Sequence, residues 1–249
     1  MLLIEHYLQP VLHKNARILL KDPNGLIALE KPVGVLVHPN ENSYRTNSSP
    51  SILNAEYNFN QEAYQLKSLS KMQRFWLLNR IDAATSGIVL GSTNSDLAKI
   101  VKKKFKERNV SKTYYALVHG SSKNLSGNNK SKKVFSWVDA MENDRSQGVG
   151  NSIAETNVRI VSENISTHSL LLELNPVTGF KNQLRYQCAL RGFPILGDRQ
   201  FGDFALNKSG PAKNRLYLHA AKIQFTYTYN NTEWTFSAES PLPKAFTEI

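Results

Sequence analysis

Along most of the chain the apolar residues recur at intervals of two, the spacing of a strand with one buried face. Ala154, Thr156, Val158 and Ile160 alternate with polar neighbours, and HSLLLELNP over 168–176 is a near-continuous apolar run. The same reasoning predicts strands over 26–32 (LIALEKP), 87–93 (GIVLGST), 113–120 (TYYALVHG), 134–140 (VFSWVDA) and 154–162, with a short extended piece at 34–39. KIQFTYTY and EWTFSAE, joined by the turn NNT, form a hairpin near the C-terminus. Helical spacing is rarer. Leu97, Ile100, Val101 and Phe105 share one face of a helix that Asn94 or Ser95 caps, while Lys99, Lys102, Lys103, Lys104, Lys106 and Arg108 line the other. A second helix of about a dozen residues starts at Lys181 and is stopped by Gly192 and Pro194. Shorter helices are expected within 1–24 and over 51–64, and polar loops over 40–50 and 121–133. Strands outnumber helices and hairpin spacing recurs, which indicates an α+β fold with a largely antiparallel sheet. With no repeat and no long linker, the expectation is one domain over 1–249, the 121–133 loop being an insertion within it.

Charge adds a partner class. Thirty-one Lys and Arg against 20 Asp and Glu leave a net charge of +11, with a pI near 9.6, in 249 residues. Such a surplus suits a polyanion such as RNA or DNA. The single cysteine, Cys188, excludes a disulfide framework and a multi-cysteine zinc site, and the six histidines lack ligand spacing, so no metal is expected. No apolar run approaches the roughly 20 residues of a membrane span, and the N-terminus lacks the features of a signal peptide. A reducing, cytoplasmic setting is expected.

Three segments carry candidate chemistry. In LLNRIDAATSGIVLGST (77–93), Asp82 stands at the exit of an extended apolar stretch with Arg80 beside it. A carboxylate on rigid backbone at a strand exit can serve catalysis, although Asp is also a common turn former, and on this segment alone that is its commoner role. In LNPVTGFKNQLRYQCALRGFPILGD (174–198), Thr178 and Gly179 turn the chain into a helix whose first turns hold Gln183 and Arg185, with Leu184, Cys188 and Leu190 toward the core. A cation at a helix start is disfavoured by the macrodipole, so Arg185 calls for a carboxylate partner, and Asp82 is a candidate. In SKTYYALVHG (111–120), Tyr114 and Tyr115 point to opposite faces, so one can meet a base while the other packs.

The order of these segments resembles the RluA-type family of RNA pseudouridine synthases. LEKPVGVLVHP is similar to that family's Asn-Lys-Pro-x-Gly-x-x-x-His-Pro opening, and NRIDAATSGIVL to its His-Arg-Leu-Asp-x-x-Thr-Ser-Gly motif. KTYYALVHG resembles Lys-x-Tyr-x-Ala-Leu-Val-x-Gly. VTGFKNQLRYQCALRGFPILGDRQFG resembles Thr-Gly-Arg-x-His-Gln-x-Arg with the Gly-x-Pro-Ile-x-Gly-Asp-x-x-Tyr-Gly stretch, and LYLHAAKIQF resembles the Leu-His-Ala strand. Five motifs in the family's order cover about residues 25–243.

The resemblance implies a mixed, mainly antiparallel sheet with flanking helices and a central cleft. It implies that a specific uridine in structured RNA, transfer or ribosomal, is isomerised to pseudouridine, with no cofactor and no metal. Asp82 would be the catalytic aspartate. Tyr114 would stack on the target base, and Arg185 would pair with Asp82 and keep it ionised. Arg80, Leu184, Lys181 and Gln183 would contact the substrate. A monomer is expected. No segment like the S4 module of many ribosomal-RNA members precedes the first motif, which points to transfer RNA or a short stem. Departures surround the catalytic positions: Asn79 for His, Ala83 for a charged residue, Phe180-Lys181-Asn182 for Arg-Thr-His, and Phe201 for Tyr. Asn79 and Phe180 motivate a second reading, an RNA-binding relative with weak or lost catalysis; a third, independent of them, is a DNA- or nucleotide-acting hydrolase that uses an aspartate.

Overall fold

The computed structural model describes residues 7–40, 50–67, 72–126, 133–142, 151–209 and 215–247. Along the chain run β1 (Arg17–Lys21), β2 (Leu26–Lys31), β3 (Glu56–Asn58), β4 (Ala63–Lys67), β5 (Met72–Leu77), β6 (Ser86–Ser92) and α1 (Ser95–Lys106). There follow β7 (Ser111–His119), α2 (Ser122–Ser126), β8 (Val134–Glu142), β9 (Asn151–Asn164), β10 (Ser169–Pro176), α3 (Gln183–Leu190) and α4 (Phe204–Ser209). The long strands β11 (Leu218–Tyr229) and β12 (Thr232–Glu239) come last. The chain divides into two compact units, one made of 1–110 with 222–240, the other of 111–221 with 241–249. Every strand pair whose register is described is antiparallel, while the Leu36–Ser51 bridge is parallel. This is the mixed, mainly antiparallel α+β fold expected.

In the first unit β6 is the central strand. It pairs with β2 and β5, and all seven of its residues are buried. Gly91 within it is required by packing, because a Cβ there would lie 2.0 Å from the Phe75 ring. One side of this sheet is closed by α1, whose Leu97, Ala98 and Val101 join Leu26, Ala28, Ile88 and Leu90 and the hairpin residues Phe225, Tyr227 and Phe236 in one core. The other side buries Ile27, Leu29, Val37, Ile52, Tyr57, Tyr64 and Phe75. Asn94 caps α1, its side chain accepting from the N–H groups of Asp96 (3.0 Å) and Leu97 (3.1 Å) and donating to the Tyr229 hydroxyl (2.6 Å). Asn94→Ala removes all three bonds and is expected to cost about 1–2 kcal/mol, read as a lower urea midpoint at unchanged slope. The β11–β12 hairpin turns at Asn230 and Asn231, both with positive φ (51° and 59°), the turn that the strand twist favours.

The second unit stacks β7, β10, β9 and β8 in that order. Its buried face carries Ala154, Thr156, Val158 and Ile160, the alternation visible in the sequence.

Three expectations need correction. Within 1–24 the expected helix and turn are present at residues 7–11, and they are followed by the strand β1, which the sequence did not announce, its Ile18 and Leu20 pairing onto β2. The helix expected over 51–64 is β3 and the start of β4, because Tyr57 and Tyr64 face each other across an antiparallel pair and bury together. Helix α3 has eight residues, not a dozen, because Asn182 before it adopts left-handed φ (59°) and a helix cannot run through that conformation. Leu190 is 55% exposed, since six residues beyond Leu184, in a helix of 3.6 residues per turn, place it off the face that Leu184 and Cys188 share, about 120° from Leu184. Of the two loops, 41–49 and 127–132 lie outside the described residues, and 122–126 form α2.

Candidate active site

Asp82 does not stand at a strand exit. It lies in the connection between β5 and β6, where its carbonyl accepts from the Thr85 N–H (3.0 Å) to close a turn. Two neighbours set this connection. Asn79 continues the ladder with its side chain, Oδ1 accepting from the Leu90 N–H (2.7 Å) and Nδ2 donating to the Ile88 carbonyl (3.4 Å). The Ala83 carbonyl accepts from the Gly34 N–H (2.8 Å) and from Lys31 Nζ (2.9 Å). Gly34 has φ of 81°, which a side chain would strain.

Lys31 is the residue that sequence reasoning missed. It ends β2, has no exposed surface, and donates to three carbonyls, those of Pro32 (2.9 Å), Val35 (2.7 Å) and Ala83 (2.9 Å). Burial pulls its pKa down to about 7 against the opposing attraction of the Asp82 carboxylate. An ammonium has three N–H donors for those three acceptors, whereas the neutral amine has two. The signal in the sequence was a lysine ending the largely apolar strand LIALEK, directly before a proline. Lys31 and Gly34 thus tie the first family-like motif to the second, and the tie falls one residue after Asp82. Arg80, two residues before it, is exposed.

In the second unit Tyr114 and Tyr115 take opposite faces of β7 and both are half-buried. Tyr115 donates to Glu173 Oε2 (3.4 Å), and Arg159 pairs with the same carboxylate. Tyr114 pairs in register with Leu174 of β10. At the start of α3, Leu184 and Cys188 are buried, and burial pushes the Cys188 thiol up. Gln183, expected among the substrate contacts, is buried and spends every polar position internally. Its Oε1 accepts from Thr178 Oγ1 (2.8 Å) and the Phe180 N–H (3.1 Å), while Nε2 donates to the Glu155 carbonyl (3.0 Å) and Thr156 Oγ1 (2.9 Å). Its observed work is to hold the turn that launches α3. Lys181 is exposed.

Arg185 has the carboxylate that its position demanded, and within this unit that carboxylate is Asp198. Nε donates to Oδ2 (2.7 Å) and Nη2 to Oδ1 (2.8 Å), while Nη1 donates to Asn182 Oδ1 (2.7 Å). The guanidinium also lies 5.3 Å from the centre of the Phe201 ring. Burial opposes the charge on Asp198, but Arg185 and the N–H groups of Phe201 and Gln200 outweigh it and hold the carboxyl below its ordinary range. Among the described residues no cluster of His, Cys, Asp and Glu could hold a metal ion, and no helix is long and apolar enough to cross a membrane.

Comparison with known proteins places this arrangement. The pattern of the RNA pseudouridylate synthase family matches residues 25–190, which include Lys31, Asp82, Tyr114 and Arg185. The chain is 28% identical to the dual-specificity RNA pseudouridine synthase RluA of Haemophilus influenzae, over 96% of this chain and 99% of that one. It is 31% identical to tRNA pseudouridine synthase C of Haemophilus ducreyi, over 86% of each. In structure it is similar to human RNA pseudouridylate synthase domain containing 4, with a TM-score of 0.63 at 20% identity, over 98% of this chain and 93% of the other, a likeness that concerns the fold. The order of the motifs, the antiparallel fold and these matches together establish that the chain belongs to the RluA-type family of RNA pseudouridine synthases.

Proposed function

We propose that this RNA pseudouridine synthase acts on a uridine in a structured transfer or ribosomal RNA, with Asp82 as the catalytic carboxylate. The observation that carries this assignment is the fastening of the Asp82 connection to the 31–35 segment through the Ala83 carbonyl. A reacting carboxylate needs a fixed backbone. The reaction breaks the bond from C1′ to N1, turns the uracil, joins C1′ to C5 and releases the C5 proton. Asp82 opens it either by attacking C1′ or by removing the C2′ proton to leave a glycal. Tyr114 meets the base, Arg185 serves as the catalytic cation, and Leu184 lines the base pocket. Arg80 and Lys181, both exposed, contact the RNA. The relatives support the substrate class, one being named for dual specificity and the other for tRNA.

The two units act as one catalytic domain in this reading, supported by a family pattern that runs across their boundary at 110–111. The protein works as a cytoplasmic monomer, without cofactor or metal.

The test is tritium release from transfer and ribosomal RNA labelled at C5 of uridine, with pseudouridine mapped in a strain lacking the gene against wild type. Release from one class and loss of one mapped site are expected. Free uracil in place of an isomerised base would overturn the proposal. With a net charge of +11, affinity for that RNA is expected to fall linearly with salt on a log–log scale, by about 0.7–0.9 per phosphate contacted. Filter binding between low and physiological salt measures the slope, and a flat line would contradict an electrostatic RNA surface.

A further inference from the structure

We propose that Asp198 and Asn182 are positioning residues for the reaction, a two-sided clamp that sets the orientation of the Arg185 guanidinium. The inference rests on the proposed catalytic role of Arg185. It goes further by naming what aims it. Asp198 takes the Nε edge of the fork with both oxygens, and Asn182 takes Nη1 from the other side. A planar guanidinium held at both ends has no free rotation about its last bonds, which is what an aimed cation requires.

Each partner is itself fixed. Asp198 is 1% exposed, and its Oδ1 also accepts from the N–H groups of Gln200 (2.9 Å) and Phe201 (3.0 Å). Its carbonyl accepts from Asn207 Nδ2 (2.8 Å), whose Oδ1 accepts from the Gly197 N–H (2.8 Å). The carboxylate is therefore anchored to its own loop before it meets Arg185. Asn182 precedes α3 at φ of 59°, yet its side chain makes no capping bond to the helix. That side chain is directed at Arg185 instead, at the cost of the cap that Asn ordinarily supplies. In the motif this segment resembles, His stands at the position of Asn182. The clamp is thus built partly from a residue by which this chain departs from its family.

Two substitutions separate aiming from folding. Asp198→Asn is isosteric. Its Oδ1 can keep the Gln200, Phe201 and Nη2 bonds, while the new amide sets a donor against Arg185 Nε–H. Asn182→Gly removes the second hold and suits the positive φ. In steady-state tritium release, kcat is expected to fall at least tenfold in Asp198→Asn and about threefold to tenfold in Asn182→Gly, with KM within twofold. Arg185→Met supplies the reference. In its background neither substitution should lower kcat further, because there is no longer a guanidinium to aim, whereas a general packing defect would still add its own loss. If Asp198→Asn does not fold, Asn182→Gly with the same background comparison carries the test. Folded variants with kcat within twofold of wild type, or full additivity with Arg185→Met, would overturn the clamp while leaving the role of Arg185 standing. Wild-type kcat in Arg185→Met itself would overturn that role and the clamp with it.

Discussion

Asp82→Ala is expected to abolish tritium release from uridine-labelled RNA, with kcat falling at least about a thousandfold, some 4 kcal/mol of barrier. The turn that holds residue 82 uses its backbone carbonyl, accepting from the Thr85 N–H, so the substitution leaves that bond in place. The Lys31 and Gly34 bonds to Ala83 are likewise independent of the Asp82 side chain. A folded protein with wild-type RNA affinity and no turnover is therefore the expected outcome, and a variant that unfolds would point to a structural aspartate. Asp82→Asn sharpens the result, because an amide of the same shape can neither attack C1′ nor take a C2′ proton at a useful rate. Tritium release from either variant within tenfold of wild type would remove Asp82 from the chemistry.

What the sequence made legible follows from how local the signals are. Strands β6 to β10 and the β11–β12 hairpin stand where the apolar spacing put them, because each strand's inward positions are set by its own period of two. The 51–64 segment misled for the opposite reason. Its apolar residues Tyr57 and Tyr64 are seven apart, a helical interval, and only their pairing across β3 and β4 makes them a strand contact. The site divides the same way. Asp82, Tyr114 and Arg185 stand out as candidates because each sits in a recognisable motif. The need of Arg185 for a carboxylate was visible from its place at a helix start. Asp198 was not, because it lies thirteen residues on, in a loop whose return to α3 no periodicity encodes. The burial of Gln183 was not legible, because polar residues on a helix surface and polar residues satisfied inside look alike in one dimension.

Lys31→Met is the second large effect expected, on stability and on rate together. Methionine fills a similar volume but leaves the carbonyls of Pro32, Val35 and Ala83 buried without their donor. Each such loss costs about 1–3 kcal/mol, offset in part by removal of a buried charge, so a net destabilisation of about 3 kcal/mol is expected near neutral pH. The pH dependence has a definite sign. Lys31 titrates near 7 in the folded protein and near the ordinary lysine value of about 10.4 when unfolded. Between those values the unfolded chain holds more protons, so this group's contribution is fully present above about 10.4 and is lost as pH falls through about 7. The stability gap between wild type and Lys31→Met should accordingly widen from pH 7 toward pH 10, as read from denaturant midpoints; a constant gap would show that Lys31 titrates normally. Turnover should move the other way. Above about pH 7 the neutral amine has one donor too few for its three carbonyls, and the hold on Ala83 weakens beside Asp82. Wild-type kcat is expected to decline on the alkaline side with an apparent pKa near 7 that Lys31→Met, low throughout, does not show. Wild-type kcat and an unchanged pH profile in Lys31→Met would mean that the lysine supports the fold without fixing the connection that carries Asp82.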